Sequence, residues 1–241
     1  MLSSQINYVY AVLDDRQRRM IDYCTQCYLE EVFRVKEFFK DSPERLMNQV
    51  KKTAGYGPEI EYAGSIIGLM RDILGGEYCN TNGTERLMFD SDTSVIMNYA
   101  SSGQQEAVWI VNLLFYYMLG KRKTLFIIEE PESHLFPGTQ KLMTEFITIV
   151  KNGKNRVIIT THSPYILGSI NNLLYANKIA DEENRSDIEA IIPSDQWIDY
   201  ETMGAYFLSD GLVKNICDDE FEDIDHDVID GVSGVINSNF P

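Results

Sequence analysis

The stretch from Thr124 to Pro137 constrains the fold of this chain more than any other. Its four consecutive apolar residues, Leu125 to Ile128, predict a strand buried on both faces of a largely parallel sheet. Two carboxylates, Glu129 and Glu130, follow at the carboxyl end, and Pro131 ends the strand. Ligands of open α/β sheets lie at this edge, where paired acids suit a hydrated Mg²⁺ and a polarised water. Taken alone, the pair fits a solvated acidic loop equally well.

A second apolar strand is predicted one helix further along the chain. The pattern from 139 to 150 indicates a helix, and the apolar run from 156 to 161 ends at His162. An apolar strand, a helix and another apolar strand describe a parallel βαβ unit with a right-handed crossover. We therefore expect His162 to lie close to Glu129 and Glu130.

A small, polar turn precedes these elements. A strand is predicted from Val95 to Tyr99, and the segment 100–106 leads from it into an apolar helix from Ala107 to Leu119. Such a turn at a helix start is a generic anion site, because free backbone N–H groups and the helix dipole converge there. Ser101 and Ser102 add hydroxyl donors, although many helices simply begin with a serine cap.

The remainder of the chain is predicted to form helices and short strands. A long amphipathic helix is expected over 15–40, a second short helix over 44–53, and a hinge at Gly55–Pro58. The other predicted elements are a helix at 61–74, a hairpin with an Asn-Gly turn at 77–89, strands at 173–179, 188–192, 205–208 and 212–217, and a helix at 226–238.

Composition limits the classes of partner. A net charge of −16 over 241 residues argues against direct DNA binding by this chain, which requires a basic surface. No run of about 18 apolar residues predicts a membrane span, and no secretory signal is visible. We therefore expect a cytoplasmic protein that does not contact a membrane.

The three motifs together resemble the C-terminal lobe of an ABC-type ATPase head of the AAA family. The pattern is similar to the SMC-like, RecF-like and OLD-like ATPases of bacterial DNA repair and phage defence. This resemblance implies a P-loop NTPase fold of class α/β, with a mostly parallel sheet flanked by helices. It places the lobe at 59–241 and a helical arm at 1–58.

The resemblance also implies an ATP-binding role for the turn before the apolar helix. Residues 99–106 look like the signature loop of the family. Ser101, Ser102, Gly103 and Gln104 fall on the four positions that follow its leading residue. These four residues would contact ATP.

The later motifs imply the metal and catalytic residues. Residues 124–130 resemble a Walker B strand, in which Glu129 replaces the usual aspartate that helps to hold Mg²⁺ and Glu130 stands at the catalytic base. Residues 157–162 resemble the switch strand, with His162 placed to contact the γ-phosphate.

One departure from the family pattern leaves two functional hypotheses open. The sequence contains no Gly-x-x-x-x-Gly-Lys-[Ser/Thr] phosphate loop and resembles the second half of a longer protein. One hypothesis is an ATPase that sandwiches ATP in a head-to-tail dimer, with the isolated chain inactive. The other is a non-catalytic regulatory or assembly subunit that lends its signature loop to a partner carrying the Walker A motif. A separate nuclease or toxin effector is a further expected partner.

Overall fold

The computed structural model describes residues 10, 12–52, 63–120 and 123–225. Its helices are α1 (Asp15–Arg18), α2 (Tyr23–Lys36), α3 (Pro43–Lys52), α4 (Ala63–Leu74), α5 (Ser102–Leu119), α6 (Pro137–Asn152), α7 (Pro164–Ile179) and α8 (Arg185–Glu189). Its strands are β1 (Glu77–Thr81), β2 (Thr84–Met88), β3 (Ser94–Ile96), β4 (Leu125–Glu129), β5 (Arg156–Thr160), β6 (Tyr206–Ser209), β7 (Leu212–Asn215), β8 (Cys217–Asp218) and β9 (Asp223–Ile224). No helix within the described ranges is long and apolar enough to cross a membrane.

The contacts divide the chain into two compact units. The first unit comprises residues 1–126 and 133–135, and the second comprises 127–132 and 136–241. The predicted boundary between arm and lobe falls at residue 58, outside the described residues, and stays a prediction. The described residues on both sides of it, α1 to α3 and α4 to β3, belong to the first unit.

The single long helix predicted over 15–40 is wrong, because the chain forms two helices there. Asp22 has an extended ψ of 152° and its carboxylate accepts the Thr25 N–H at 2.9 Å, which starts α2. A side chain that caps a helix start in this way cannot lie inside a continuous helix. The expected short helix at 44–53 is confirmed as α3.

The predicted hairpin at 77–89 is confirmed. β1 and β2 pair antiparallel around Asn82 and Gly83, whose φ angles of 53° and 79° are those of a two-residue hairpin turn. β3 pairs antiparallel with β2 but ends at Ile96, where a 3₁₀ turn begins. The strand predicted to reach Tyr99 is therefore shorter than expected.

The core of the first unit surrounds a buried ion pair. Lys36 Nζ lies 2.5 Å from Glu85 Oε1, and both side chains are at most one-tenth exposed. The Tyr78 hydroxyl donates to the other oxygen of Glu85 at 3.0 Å. Lys36 also lies 5.2 Å from the ring centroid of the fully buried Trp109. This network joins α2 and α5 to the β1–β2 hairpin.

The predicted β-α-β arrangement is formed by β4, α6 and β5, of which residues 127–129 of β4 and all of α6 and β5 belong to the second unit. β4 and β5 are neighbours in one sheet. The Glu130 N–H donates to the Thr160 carbonyl at 2.9 Å, which joins the carboxyl ends of the two strands as in a parallel pair.

The prediction that β4 is buried on both faces is wrong. Ile128 is buried, but Leu125 and Ile127 are 52% and 65% exposed, and Ile158 of β5 is 50% exposed. Side chains alternate between the two sides of a strand, and in this two-stranded sheet only the side of Ile128 is well packed. The α/β class is confirmed, but the sheets are small, and the other three in the described residues are antiparallel.

The strands predicted at 173–179 and 188–192 are also wrong. The first lies inside α7, which Ser163 caps and Pro164 begins. Its buried Ile166, Leu167, Leu173 and Leu174 recur at helical spacing, so packing of one helix face overrides the local strand pattern. The second overlaps α8.

The C-terminal hairpin is confirmed as β6 and β7, with Asp210 and Gly211 at positive φ in its turn. The helix predicted at 226–238 and the hinge predicted at Gly55–Pro58 lie outside the described residues.

Replacing Lys36 with Met should lower the free energy of unfolding by about 3–5 kcal/mol, because Glu85 would stay buried without its cation. The double variant Lys36→Met/Glu85→Gln should recover part of the loss. Urea denaturation measures both. The exposed Lys40, which pairs with Glu37 on the surface, is the control, and Lys40→Met should change stability by less than about 1 kcal/mol. Equal losses at the two lysines would contradict the prediction.

Candidate functional site

Glu130 and His162 lie side by side at the carboxyl ends of β4 and β5. The Oε1 atom of Glu130 is 3.6 Å from Nε2 of His162. The side chains are 54% and 90% exposed, so both can reach a ligand from solvent. The predicted proximity of His162 to this acid is confirmed, and it follows from the pairing of the two strands.

The backbone at Glu130 has an unusual conformation. Its φ of +47° lies in the left-handed region, which a non-glycine residue seldom adopts. The residue nevertheless keeps its N–H bonded to Thr160, the last residue of β5. The chain therefore turns sharply at Glu130 while β4 and β5 stay joined.

Glu132 connects the loop after β4 to the two residues that follow β5, Thr161 and His162. Its Oε1 accepts the Thr161 hydroxyl at 2.6 Å and the His162 N–H at 2.8 Å. Sequence reasoning assigned Glu132 no individual role. The available signal was a third acid, two residues past Glu130 and directly after a proline.

The segment that carries His162 is fixed further by Ser163. The Ser163 N–H donates to Thr161 Oγ1 at 3.0 Å, and its hydroxyl donates to Gln140 Oε1 of α6 at 2.5 Å. The same hydroxyl accepts the Tyr165 N–H at 3.1 Å as the cap of α7. The loop after β4 thus holds the His162 backbone, and α6 and α7 hold the adjacent Ser163, while the imidazole of His162 stays exposed.

Glu129, the expected Mg²⁺ ligand, is the exposed last residue of β4. Carboxylate oxygens suit Mg²⁺, which keeps several waters and takes one or two carboxylates together with substrate phosphates. The part of the chain that the structure describes contains no group of three or more His, Cys, Asp or Glu side chains arranged for a metal.

The predicted signature loop starts α5 in the first unit. Ser101 and Gln104 form a reciprocal cap: Ser101 Oγ accepts the Gln104 N–H at 3.3 Å, and Gln104 Oε1 accepts the Ser101 N–H at 3.0 Å. This cap starts the helix at Ser102, five residues before the predicted start at Ala107. The Gln104 side chain also donates to the Leu74 carbonyl at 2.8 Å, so it anchors the end of α4.

Gly103 allows a close contact with the loop that follows β4. A Cβ atom at this position would lie 2.5 Å from the His134 carbonyl oxygen, which no larger residue could tolerate without a backbone shift. His134 Nε2 lies 3.7 Å from Glu106 Oε1 on the same helix. Both Ser101 and Ser102 are exposed. The start of α5 therefore presents hydroxyls while Gly103 packs beneath them.

The structure places the predicted residues in two groups. Ser101, Ser102, Gly103 and Gln104 belong to the first unit. Glu129, Glu130 and His162 belong to the second.

These features define a mixed α/β protein with an acid–histidine pair at strand ends and a capped helix start. Residues 11–167 match the family described as the AAA ATPase domain, which is more than half of the chain. The chain belongs to this family, which indicates ATP binding or hydrolysis. All of the predicted site residues fall inside the matched range. No curated protein and no solved structure matches the chain.

Replacing Glu132 with Ala should accelerate hydrogen exchange at the His162 amide by at least about tenfold, because the amide loses a charged acceptor. Glu132→Gln keeps a side-chain oxygen and should give an intermediate rate. NMR-detected exchange measures both variants. Glu182→Ala, at an exposed residue, serves as the control. If the His162 amide exchanged at an unchanged rate in Glu132→Ala, Glu132 would not be the group that holds this amide.

Proposed function

We propose that this chain forms part of an ATP-hydrolysing head of the SMC-like, RecF-like or OLD-like type. The observation that carries the proposal is the pairing of Glu130 with His162 at the ends of two adjoining strands, inside the region that matches the AAA ATPase domain. An exposed carboxylate beside an exposed imidazole suits activation of a water and contact with a phosphate. A solvated acidic loop would not require the Glu132 and Ser163 bonds that fix the backbone on either side of His162.

Glu130 is the proposed general base. Its Oε1 would accept a proton from the attacking water, and the left-handed turn would hold the carboxylate beyond the end of β4. His162 would donate from Nε2 to a γ-phosphate oxygen, which makes it a sensor of the nucleotide state. The 3.6 Å separation permits one ligand atom to contact both groups.

The cofactors in this proposal are ATP and Mg²⁺. Glu129 would help to hold the metal, which supplies charge neutralisation at the phosphates when bound. Ser101, Ser102, Gly103 and Gln104 would contact ATP through hydroxyls and backbone N–H groups at the start of α5. A helix of 18 residues provides a dipole suited to that contact.

The proposed assembly is a head-to-tail dimer that sandwiches ATP. The phosphate loop of one participant would face the signature residues of another. This sequence contains no such loop, so another polypeptide segment would have to supply it. We place the protein in the cytoplasm and in DNA repair or phage defence, with a separate nuclease or toxin as an effector partner. These roles rest on family resemblance.

Replacing Glu130 with Gln in an assembly that contains the phosphate loop should reduce ATP turnover by at least about 100-fold, because the amide cannot accept the proton. ATP and the dimer should remain bound, as measured by nucleotide retention during size-exclusion chromatography. Glu182→Gln removes the same charge from an exposed loop and should leave turnover unchanged. Normal turnover in Glu130→Gln would defeat the assignment of the base.

The isolated chain should bind ATP more weakly than about 100 µM and should not hydrolyse it, because no phosphate loop surrounds the β- and γ-phosphates. Calorimetric titration and a phosphate-release assay measure the two quantities. Micromolar saturation with clear turnover would contradict the prediction.

The alternative function is a non-catalytic regulatory or assembly subunit. It would lend Ser101 to Gln104 to a partner that carries the Walker A motif. Translation of the DNA upstream of Met1 separates the two functions, because a phosphate-loop segment in frame would exclude the subunit.

A further inference from the structure

The hairpin formed by β6 and β7 presents apolar side chains to solvent. Tyr206, Leu208 and Val213 are 61%, 72% and 68% exposed. The register pairs Leu208 with Val213, and Tyr206 lies two residues from Leu208, so the three share one face of the hairpin. Adjacent exposed apolar residues of this size commonly mark an interaction surface.

The other face of the hairpin has a structural role. Phe207 packs against a core cluster of the second unit whose buried members include Leu174, Ile198 and Ile216. The Ile216 N–H donates to the Ala205 carbonyl at 3.0 Å, which closes the base of the hairpin. The exposed face of Tyr206, Leu208 and Val213 is therefore presented by an anchored hairpin.

The segment that carries the hairpin is acidic, which favours a basic partner. From Glu201 to Asp225 the sequence carries eight acidic residues and a single basic one, Lys214, and Lys178 of α7 pairs with one of these acids, Glu222, at 3.5 Å. Asp210, Asp219 and Glu220 are exposed within this stretch. An apolar face in an acidic segment complements a peptide in which apolar side chains alternate with lysine or arginine.

We propose that the β6–β7 hairpin docks an extended, basic segment of a partner protein. Tyr206, Leu208 and Val213 would contact its apolar side chains, and the surrounding carboxylates would face its cations. An extended segment fits because a two-stranded sheet has outer edges that can add a strand.

A second copy of the chain and a nucleic acid fit the face less well. If a second copy docked on the same face, two acidic segments would meet at the contact and repel one another. Phosphate groups would be repelled by the same carboxylates. The proposal is independent of ATP hydrolysis, since the hairpin lies outside residues 11–167.

The test is a titration of the isotope-labelled chain with a synthetic ten-residue peptide of alternating valine and lysine. The same peptide with glutamate in place of lysine is the charge control. We expect the basic peptide to shift the amide resonances of residues 206–215, with little effect from the acidic peptide. In the double variant Leu208→Thr/Val213→Thr the dissociation constant should rise at least about tenfold.

The matched control is Leu212→Thr, at a residue 73% exposed that pairs with Ser209 on the opposite face. It should change the dissociation constant by less than about twofold. Equal losses in the two variants, equal binding of the two peptides, or the absence of shifts in residues 206–215 would each overturn the proposal. Sedimentation that shows a dimer dissociated by Leu208→Thr/Val213→Thr would also overturn it, because the face would then belong to a second copy.

Discussion

The hydrogen bonds accepted by the Glu132 carboxylate are the interaction on which the candidate site depends. One of its oxygens holds both the Thr161 hydroxyl and the His162 N–H, so the loop after β4 is tied to the end of β5. Hydrogen bonds to a charged acceptor are about twice as strong as neutral ones. This single group therefore fixes the main chain at His162, beside the strand end whose Thr160 carbonyl accepts the Glu130 N–H.

The two candidate groups are built by different physical means. At the strand ends, positions are set by long-range bonds from Glu132 and Ser163 to residues more than twenty positions away. At the start of α5, most positions are set locally by the reciprocal bonds of Ser101 and Gln104. The local cap orients the backbone N–H groups at the helix start, and the Gln104 bond to Leu74 adds one tertiary contact. The acid–histidine pair instead requires the surrounding elements to be in place.

The sequence predicted those parts of the fold in which local chemistry decides the conformation. The turn at Asn82 and Gly83 follows from residues that tolerate positive φ, and the hairpin formed as expected. The pairing of His162 with Glu130 followed from two apolar runs separated by a helix. The helix break before Tyr23 was missed because Asp22 is both a possible helical residue and a good cap, and only the observed bond to Thr25 distinguishes them.

The sequence by itself determined the motifs, the α/β class and the candidate residues for phosphate chemistry, because these depend on residue type and spacing along the chain. Only the tertiary structure decided that segment 173–179 is helical, that β4 has an exposed apolar side, and that Glu132 holds His162 in place. Each of these depends on which side of an element is packed and which distant partner a polar group finds. The period of a short sequence pattern specifies neither the packed side of an element nor the distant partner of a polar group.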